Sequence, residues 1–247
     1  MNVNLIPIYE DNYVFHFVTD DGISVVVDPG DADPVIQYLD ANNLTLQVIL
    51  HTHHHWDHIN GDQKLQEKYN CEIWGPEYEI MRIPNMNVLL EDQQTYTLGT
   101  QSFKVIHTPG HTRGHICIYF ENDKTLFAGD TLFSLGCGRL FEGTPEEMWA
   151  SLKVLRALPD DTKIYCAHEY TLSNAKFLQS IEPNSPQINK LLEHAKNTPT
   201  IPTSIAFEKA YNPFLRADDK DFQETLRMEH ASSEEVFAHI RKLKDDF

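Results

Sequence analysis

Thr52-His53-His54-His55-Trp56-Asp57-His58 is the stretch on which the reading of this chain turns. It directly follows Leu44–Leu50, an apolar run of strand length, so it is expected on the loop leaving that strand's C-terminal end. In extended chain, residues i, i+2 and i+4 share a face, which aligns His53, His55 and Asp57, while His58 can point elsewhere. One turn can therefore offer two ligands to each of two neighbouring ions. The competing reading is a surface histidine tract, or an i, i+4 helical pair made by His54 and His58. Imidazole and carboxylate donors suit zinc, iron and manganese alike.

Three later segments favour the metal reading, because a metal site needs a full ligand set. Thr108-Pro109-Gly110-His111-Thr112 puts a histidine on a tight turn after a strand, and Phe127-Ala128-Gly129-Asp130-Thr131 puts a carboxylate at the end of another. Cys166-Ala167-His168-Glu169-Tyr170 does the same with a histidine. All four pieces are expected at strand ends, where a sheet-based fold gathers its loops.

Outward from these motifs, the first half reads as strands with short helices. Val3–Ile8, Tyr13–Val18, Ile23–Val27, Ser102–His107, His115–Phe120 and Thr125–Ala128 are rich in β-branched and aromatic residues. Asp33-Pro34 predicts a helix start and Glu146–Leu158 a helix, and Lys163–Ala167 reads as the last strand. After Glu169 the spacing turns helical, over Asn174–Ile181, Pro186–Ala195, Asp219–His230 and Ser233–Lys244, with Thr198–Thr203 as a connection. The expectation is a β-rich domain over residues 1–169 and a smaller helical one over 170–247.

Composition narrows the function classes. The 247 residues are 41% hydrophobic and 23% charged, as in ordinary globular chains, and the formal charge is −17. Such a surface repels phosphate backbones and anionic membranes, so neither nucleic acid nor membrane is an expected partner. No apolar run reaches the length of a membrane-spanning helix, and the Met1-Asn2-Val3-Asn4 start lacks a secretory pattern. Cys71, Cys117, Cys137 and Cys166 are scattered without a CxxC pair, which reads as buried thiols in a reducing, cytoplasmic setting.

THHHWDH, TPGHT, GDTLF and CAHEYT, in that order, resemble the metallo-β-lactamase superfamily. Gly136-Cys137-Gly138-Arg139-Leu140-Phe141-Glu142-Gly143 and Asn212-Pro213-Phe214-Leu215-Arg216 narrow the likeness to its hydroxyacylglutathione hydrolase, or glyoxalase II, branch. The likeness runs over nearly the whole chain. It implies an α/β fold, a four-layer αββα sandwich with a smaller C-terminal helical domain, and a site for two divalent ions, zinc above all, with iron or manganese possible.

By that resemblance, His53, His55 and His111 hold the first ion, Asp57, His58 and His168 the second, and Asp130 bridges both. Asp57 and Asp130 thereby also position the attacking hydroxide. Arg139, Phe141, Tyr170, Arg241 and Lys244 are implied to line a glutathione site; a phenylalanine at 141 offers a backbone amide and packing but no hydroxyl. The bland reading of Arg241 and Lys244 is cations at a helix C-terminus. Asp28 is placed to orient a ligand histidine, and His107 and His115 read as hydrogen-bonded residues beside the site.

The implied activity is cleavage, by a monomer, of a glutathione thioester, chiefly S-D-lactoylglutathione. A thiol leaves readily as thiolate, so no separate general acid is needed, and none stands out. Two alternatives remain: a mononuclear-iron sulfur dioxygenase on His53, His111 and Asp130, and a catalytically silent metal-binding module. The assignment leaves His54 without a metal role although it sits mid-motif. Elemental analysis should therefore find near wild-type metal content in His54→Ala and a clear loss in His55→Ala; equal loss in both overturns the assignment.

Overall fold

The computed structural model describes Met1–Phe247. Its first sheet takes β1 (Asn4–Ile8), β2 (Asn12–Val18), β3 (Ser24–Val27), β4 (Val48–Leu50), β5 (Glu72–Pro76) and β6 (Val88–Leu90), side by side in that order. The first three are antiparallel neighbours and the last four parallel ones. The second sheet is formed by β7 (Thr95–Leu98), β8 (Gln101–His107), β9 (Ile116–Phe120), β10 (Thr125–Gly129), β13 (Lys163–Cys166) and β14 (Thr203–Ser204). Between β10 and β13 lies a small hairpin, β11 (Leu132–Phe133) with β12 (Gly136–Cys137).

The apolar runs in these strands are continuous because both faces of each sheet are covered. Phe15, Phe17, Val27, Leu50, Phe103, Ile118, Phe120 and Phe127 fill the space between the sheets. Their aromatic rings are fully buried, each side chain contributing about 1.5–3 kcal/mol on removal from water. The outer face of the first sheet packs Val14, Val26 and Ile49 on α1 (Ala32–Ala41) and α3 (Asp62–Tyr69) through Val35, Leu39 and Leu65. The second sheet's outer face packs Leu126, Ala128 and Ile164 on α4 (Pro145–Arg156) and α9 (Ser233–Asp245) through Trp149, Leu152, Phe237 and Ile240. The order is helix, sheet, sheet, helix, the expected αββα sandwich.

Capping boxes set the starts of the two large outer helices: Thr144 with Glu147 on α4, and Ser232 with Glu235 on α9. Four local expectations need correction. Asp31, not Asp33, caps α1, because the side chain of Asp31 accepts the Asp33 amide. Leu44–Gln47 stays outside β4, which is only three residues long. The Asp219–His230 helix stops early, as α8 (Lys220–Thr225). Lys163–Ala167 is not the last strand, since Thr203 and Ser204 pair antiparallel with β13 and carry the C-terminal segment onto the second sheet.

That segment also supports the β11–β12 hairpin from below. Glu208, on α7 (Ile205–Tyr211), is fully buried and accepts from the Leu135 amide at 2.9 Å, the Thr203 hydroxyl at 2.6 Å and Asn212 Nδ2 at 2.9 Å. Burial outweighs those donors and pushes its carboxyl up to about 7. The folded chain thus keeps a proton that the unfolded chain releases between about pH 4.5 and 7, so this group's contribution to stability falls as pH rises through that window. Urea unfolding of wild type and Glu208→Gln should show the difference between them smaller at pH 8 than at pH 5 by about 1–3 kcal/mol. A difference independent of pH overturns the assignment.

Candidate metal centre and substrate cleft

Four strand ends converge at one edge of the sandwich. The loop after β4 carries His53 and His55, and its last residues form the short α2 (Trp56–Ile59) with Asp57 and His58. The turn after β8 carries His111, Asp130 follows β10, and His168 lies just past β13. An isolated bridge between Asn12 and His168 ties the two sheets together at this edge. Gly129 permits the last step into Asp130: its φ is +46°, and a Cβ there would come within 2.5 Å of Thr52 Oγ1 and 2.6 Å of His115 Nε2.

The side chains form two trios, His53 with His55 and His111, and Asp57 with His58 and His168; a third group, Asp28 with His53 and His58, shares one histidine with each. In the first, His55 Nδ1 lies 3.1 Å from His53 Nε2 and 2.9 Å from His111 Nε2. In the second, His168 Nε2 is 3.5 Å and His58 Nε2 3.7 Å from Asp57 Oδ2. Asp130 stands between them, with Oδ2 3.2 Å from His111 Nε2 and 3.4 Å from His168 Nε2, and Oδ1 3.6 Å from His58 Nε2.

The outward nitrogens fix which ring atoms face inward. His111 Nδ1 donates to the Arg139 carbonyl at 2.8 Å, His168 Nδ1 is 2.9 Å from Asp11 Oδ1, and His58 Nδ1 is 3.1 Å from Asp28 Oδ2. The Thr52 hydroxyl donates to Asp28 at 2.7 Å and so accepts from His53 Nδ1 at 3.0 Å. The Nε2 atoms of these four rings converge on the site, joined by Nδ1 of His55.

This arrangement fits divalent metal binding. Lone pairs this close repel unless a cation lies among them, and His58 Nε2 and Asp130 Oδ1 are buried without a hydrogen-bond partner. Burial holds His53 far below the usual histidine range and lowers His111, while burial and the neighbouring imidazoles bring His55 to about 4, so the first trio is neutral. At His168, burial is outweighed by Asp130 and Asp11, which push it up to about 10; His58 is raised against burial by Asp130 and Asp28. The second trio sits in a strongly negative field, which a dication also satisfies.

Beyond the two trios, one cleft of about 720 Å³ opens over both. All five sequence-predicted substrate residues line it. Tyr170 stacks on His168, centroids 4.7 Å apart and planes at 7°. Lys244 Nζ reaches Ser173 Oγ at 3.0 Å, and burial with the nearby Arg241 and Arg139 lowers its amine to about 8. Two expectations change in detail. The Phe141 amide already donates to the His111 carbonyl at 3.3 Å, so what this 61% exposed residue presents to the cleft is its ring. Arg241 is only 6% exposed: its Nη1 donates to the Cys137 carbonyl at 3.0 Å and its Nη2 to Asp245 at 3.0 Å, so it lines the cleft as a buried part of the wall already bonded within the protein.

The matches to known proteins agree with this geometry. Residues 11–168 match the Metallo-beta-lactamase superfamily and residues 169–247 the Hydroxyacylglutathione hydrolase C-terminus. The hydroxyacylglutathione hydrolase of Maricaulis maris is 47% identical over 98% of this chain and 96% of its own. That of Methylococcus capsulatus is 43% identical over 98% and 97%. The chain belongs to the hydroxyacylglutathione hydrolase family. Among solved structures, ETHE1 from Myxococcus xanthus superposes with a TM-score of 0.71 at 26% identity, covering 98% of this chain and 90% of that one. The BLEG-1 B3 metallo-beta-lactamase gives 0.67 at 26%, covering 87% and 99%.

Within this family member, several site residues had no role in the sequence reading. They are Asp11, Asn12, His51 and Asp62. Asn12 Nδ2 donates to Asp57 Oδ2 at 3.0 Å. His51 lies between Asp62, 2.8 Å from its Nε2, and Asp28, 3.5 Å from its Nδ1, and these carboxylates push it up to about 9 against burial. His115 takes the Asp130 amide on Nε2 at 3.0 Å, as a residue beside the site should. His54 pairs with the buried Glu79 at 3.1 Å, outside both trios. The four cysteines are free and buried.

Asp11 is the cleanest of these to test, because it touches the site only through His168. Asp11→Ala should weaken metal affinity at the Asp57–His58–His168 trio by roughly 10–100-fold and leave the other trio near wild type, read by chelator competition with metal stoichiometry. Unchanged affinity at both overturns the orienting role.

Proposed function

We propose that this chain hydrolyses S-(2-hydroxyacyl)glutathione, chiefly S-D-lactoylglutathione, to glutathione and the 2-hydroxy acid. For the lactoyl substrate the product is D-lactate, and the reaction is the second step of methylglyoxal detoxification. The observation that carries the reading is one cleft in which a two-trio ligand cluster meets the cations Arg139, Arg241 and Lys244. The full-length likeness to hydroxyacylglutathione hydrolases supports it from another side.

His53, His55 and His111, and Asp57, His58 and His168, with Asp130 near both, would hold two divalent ions, zinc with iron or manganese as alternatives, which would supply a hydroxide near neutral pH and a Lewis acid for the developing oxyanion. The chain's own residues do the rest. Asp57 and Asp130 set the geometry from which water attacks, with Asp57 steadied by Asn12 and Asp130 by His115. Arg139, Arg241 and Lys244 attract the carboxylates of the tripeptide. Burial raises the Tyr170 phenol, which therefore stays protonated, able to donate from its perch on His168. The four-residue interval between Arg241 and Asp245 makes an ion pair within α9 that also reaches Arg139, so the C-terminal helix presents an ordered basic wall.

Attack on the thioester carbonyl expels glutathione as thiolate, and no side chain has to protonate it first. We assign the catalytic part to residues 1–169 and the glutathione-binding helices to 170–247, in a cytoplasmic monomer. The iron dioxygenase alternative uses His53, His111 and Asp130 alone and leaves Asp57, His58 and His168 without a purpose. No helix is long and apolar enough to cross a membrane.

Metal-replete protein should consume S-D-lactoylglutathione, read as loss of thioester absorbance with one thiol released per turnover; chelation should stop the reaction and added zinc restore it. Asp130→Asn should lower kcat on the order of 100-fold or more. Full activity in that variant contradicts the bridging role, and oxygen uptake without thioester loss overturns the hydrolase in favour of the dioxygenase.

A further inference from the structure

The three histidines of the first trio are not equally held. His53 and His111 each have an outward nitrogen bonded to the protein, on the Thr52 hydroxyl and on the Arg139 carbonyl. His55 bonds only through its inward Nδ1, and its ring otherwise meets the Phe141 ring edge-on, centroids 5.5 Å apart. Whatever aims His55 therefore acts in large part through its backbone.

A buried carboxylate outside both trios is placed to do so. Glu79 ends a single 3₁₀ turn, Glu77–Glu79, just after β5, and its side chain is almost wholly enclosed. Ile83, four residues on, belongs to the same core cluster as Leu65 and Ile73, which anchors the turn. Buried charges are paired, and the two oxygens of Glu79 are taken by two different loops. Oε2 lies 3.1 Å from His54 Nδ1, on the loop after β4, and Oε1 accepts from the Thr112 hydroxyl at 3.1 Å, on the turn after β8. The approach is so close that a Cβ on Gly114 would come within 2.5 Å of Oε1.

The positions of these two partners give the contact its meaning. His54 separates His53 from His55. In extended chain residues i and i+2 share a face opposite to i+1, so holding His54 outward turns His53 and His55 inward together. Thr112 directly follows His111. One carboxylate thus pins a neighbour of every member of the first trio, and neither partner adjoins Asp57, His58 or His168. Arg82 and Glu142 close the arrangement from outside. Arg82 Nη1 lies 3.7 Å from Glu79 Oε2 and donates to Glu142, which accepts the Arg113 amide at 2.8 Å.

We infer that Glu79 is a positioning residue for the first trio, fixing through His54 and Thr112 the backbone on which His53, His55 and His111 stand. The inference rests on the two-trio metal reading above and extends it to a residue that touches neither metal nor substrate. Removing His54 alone leaves the Thr112 arm in place, whereas removing Glu79 releases both.

The test is chelator competition on cobalt-loaded protein, with cobalt counted per chain and visible absorption showing which trio has emptied. His55→Ala and His168→Ala supply the reference spectra for the first and second trios. Glu79→Ala should weaken metal retention at the first trio about tenfold and at the second less than about twofold. Glu79→Gln, which can still accept from Thr112 and bond His54, should recover to within about threefold of wild type, a rescue that general loosening of the fold would not show. Thr112→Val removes one arm with little change of shape and should weaken the first trio alone, by about threefold; it decides the matter if Glu79→Ala fails to fold. Equal weakening of both trios, an unchanged first trio, or a glutamine variant as weak as the alanine one overturns the positioning role. Wild type that holds cobalt at both trios, yet hydrolyses no thioester when replete with zinc, overturns the hydrolase reading and leaves the role of Glu79 standing.

Discussion

Asp130 is a carboxylate buried at the meeting point of four chain segments, and nearly everything at this edge of the sandwich follows from having to compensate it. A lone buried carboxylate costs several kcal/mol. Here burial opposes ionisation, but His168, His58 and His111 outweigh it and hold Asp130 far below the usual carboxylate range. Those imidazoles come from the loops after β4, β8 and β13, so the two sheets must be in register before the charge is satisfied. Gly129 is required by the tight approach of Thr52 and His115 to the same turn, and His115 in turn holds the Asp130 amide.

The donor cluster and the cationic wall of the cleft share a backbone. Arg139 orients His111 through its carbonyl and reaches Asp245 on α9 through its side chain. A Cβ on Gly138 would collide with the Asp130 carbonyl, so the hairpin can lie this close only with glycine there. Beneath it, Asn212 donates to the carbonyls of Phe133 and Gly136, and Glu208 takes the Leu135 amide. These contacts give the GCGRLFEG and NPFLR stretches a common physical purpose: they fasten the C-terminal helices to the loop that also steers a ligand. α9 thus meets the donor cluster through this hairpin, by way of Arg139, and also through Lys244 on Ser173 near Tyr170.

The candidate donors were legible because each lies in a short motif at a strand end, where local spacing carries a signal. Their outer partners were not. Asp11 and His168 are 157 residues apart, and Asp28 and His58 lie on separate loops, so no local pattern announces the pairing. His51 was visible as a histidine, but its place between Asp62 and Asp28 depends on how α3 packs. Thr203 and Ser204 became an edge strand because β13 offered an unpaired side, a tertiary opportunity that overrode a Pro-containing connection.

By itself the sequence determined the donor types, their number and their order, and hence the class of chemistry: imidazoles and carboxylates at strand ends, with a C-terminal set of cations. Its hydrophobic patterning gave a β-rich first part followed by a helical one, and the αββα sandwich followed from the family resemblance those motifs carry. The tertiary structure decided which donors share a trio, which nitrogen of each ring faces inward, and that Arg241 is a wall and Phe141 a bare ring. The physical reason is one of range. A motif specifies residue identity over a few positions, whereas metal geometry and the cleft lining are set by distances of about 3–4 Å between segments far apart in the chain, and those distances exist only after the sheets have packed.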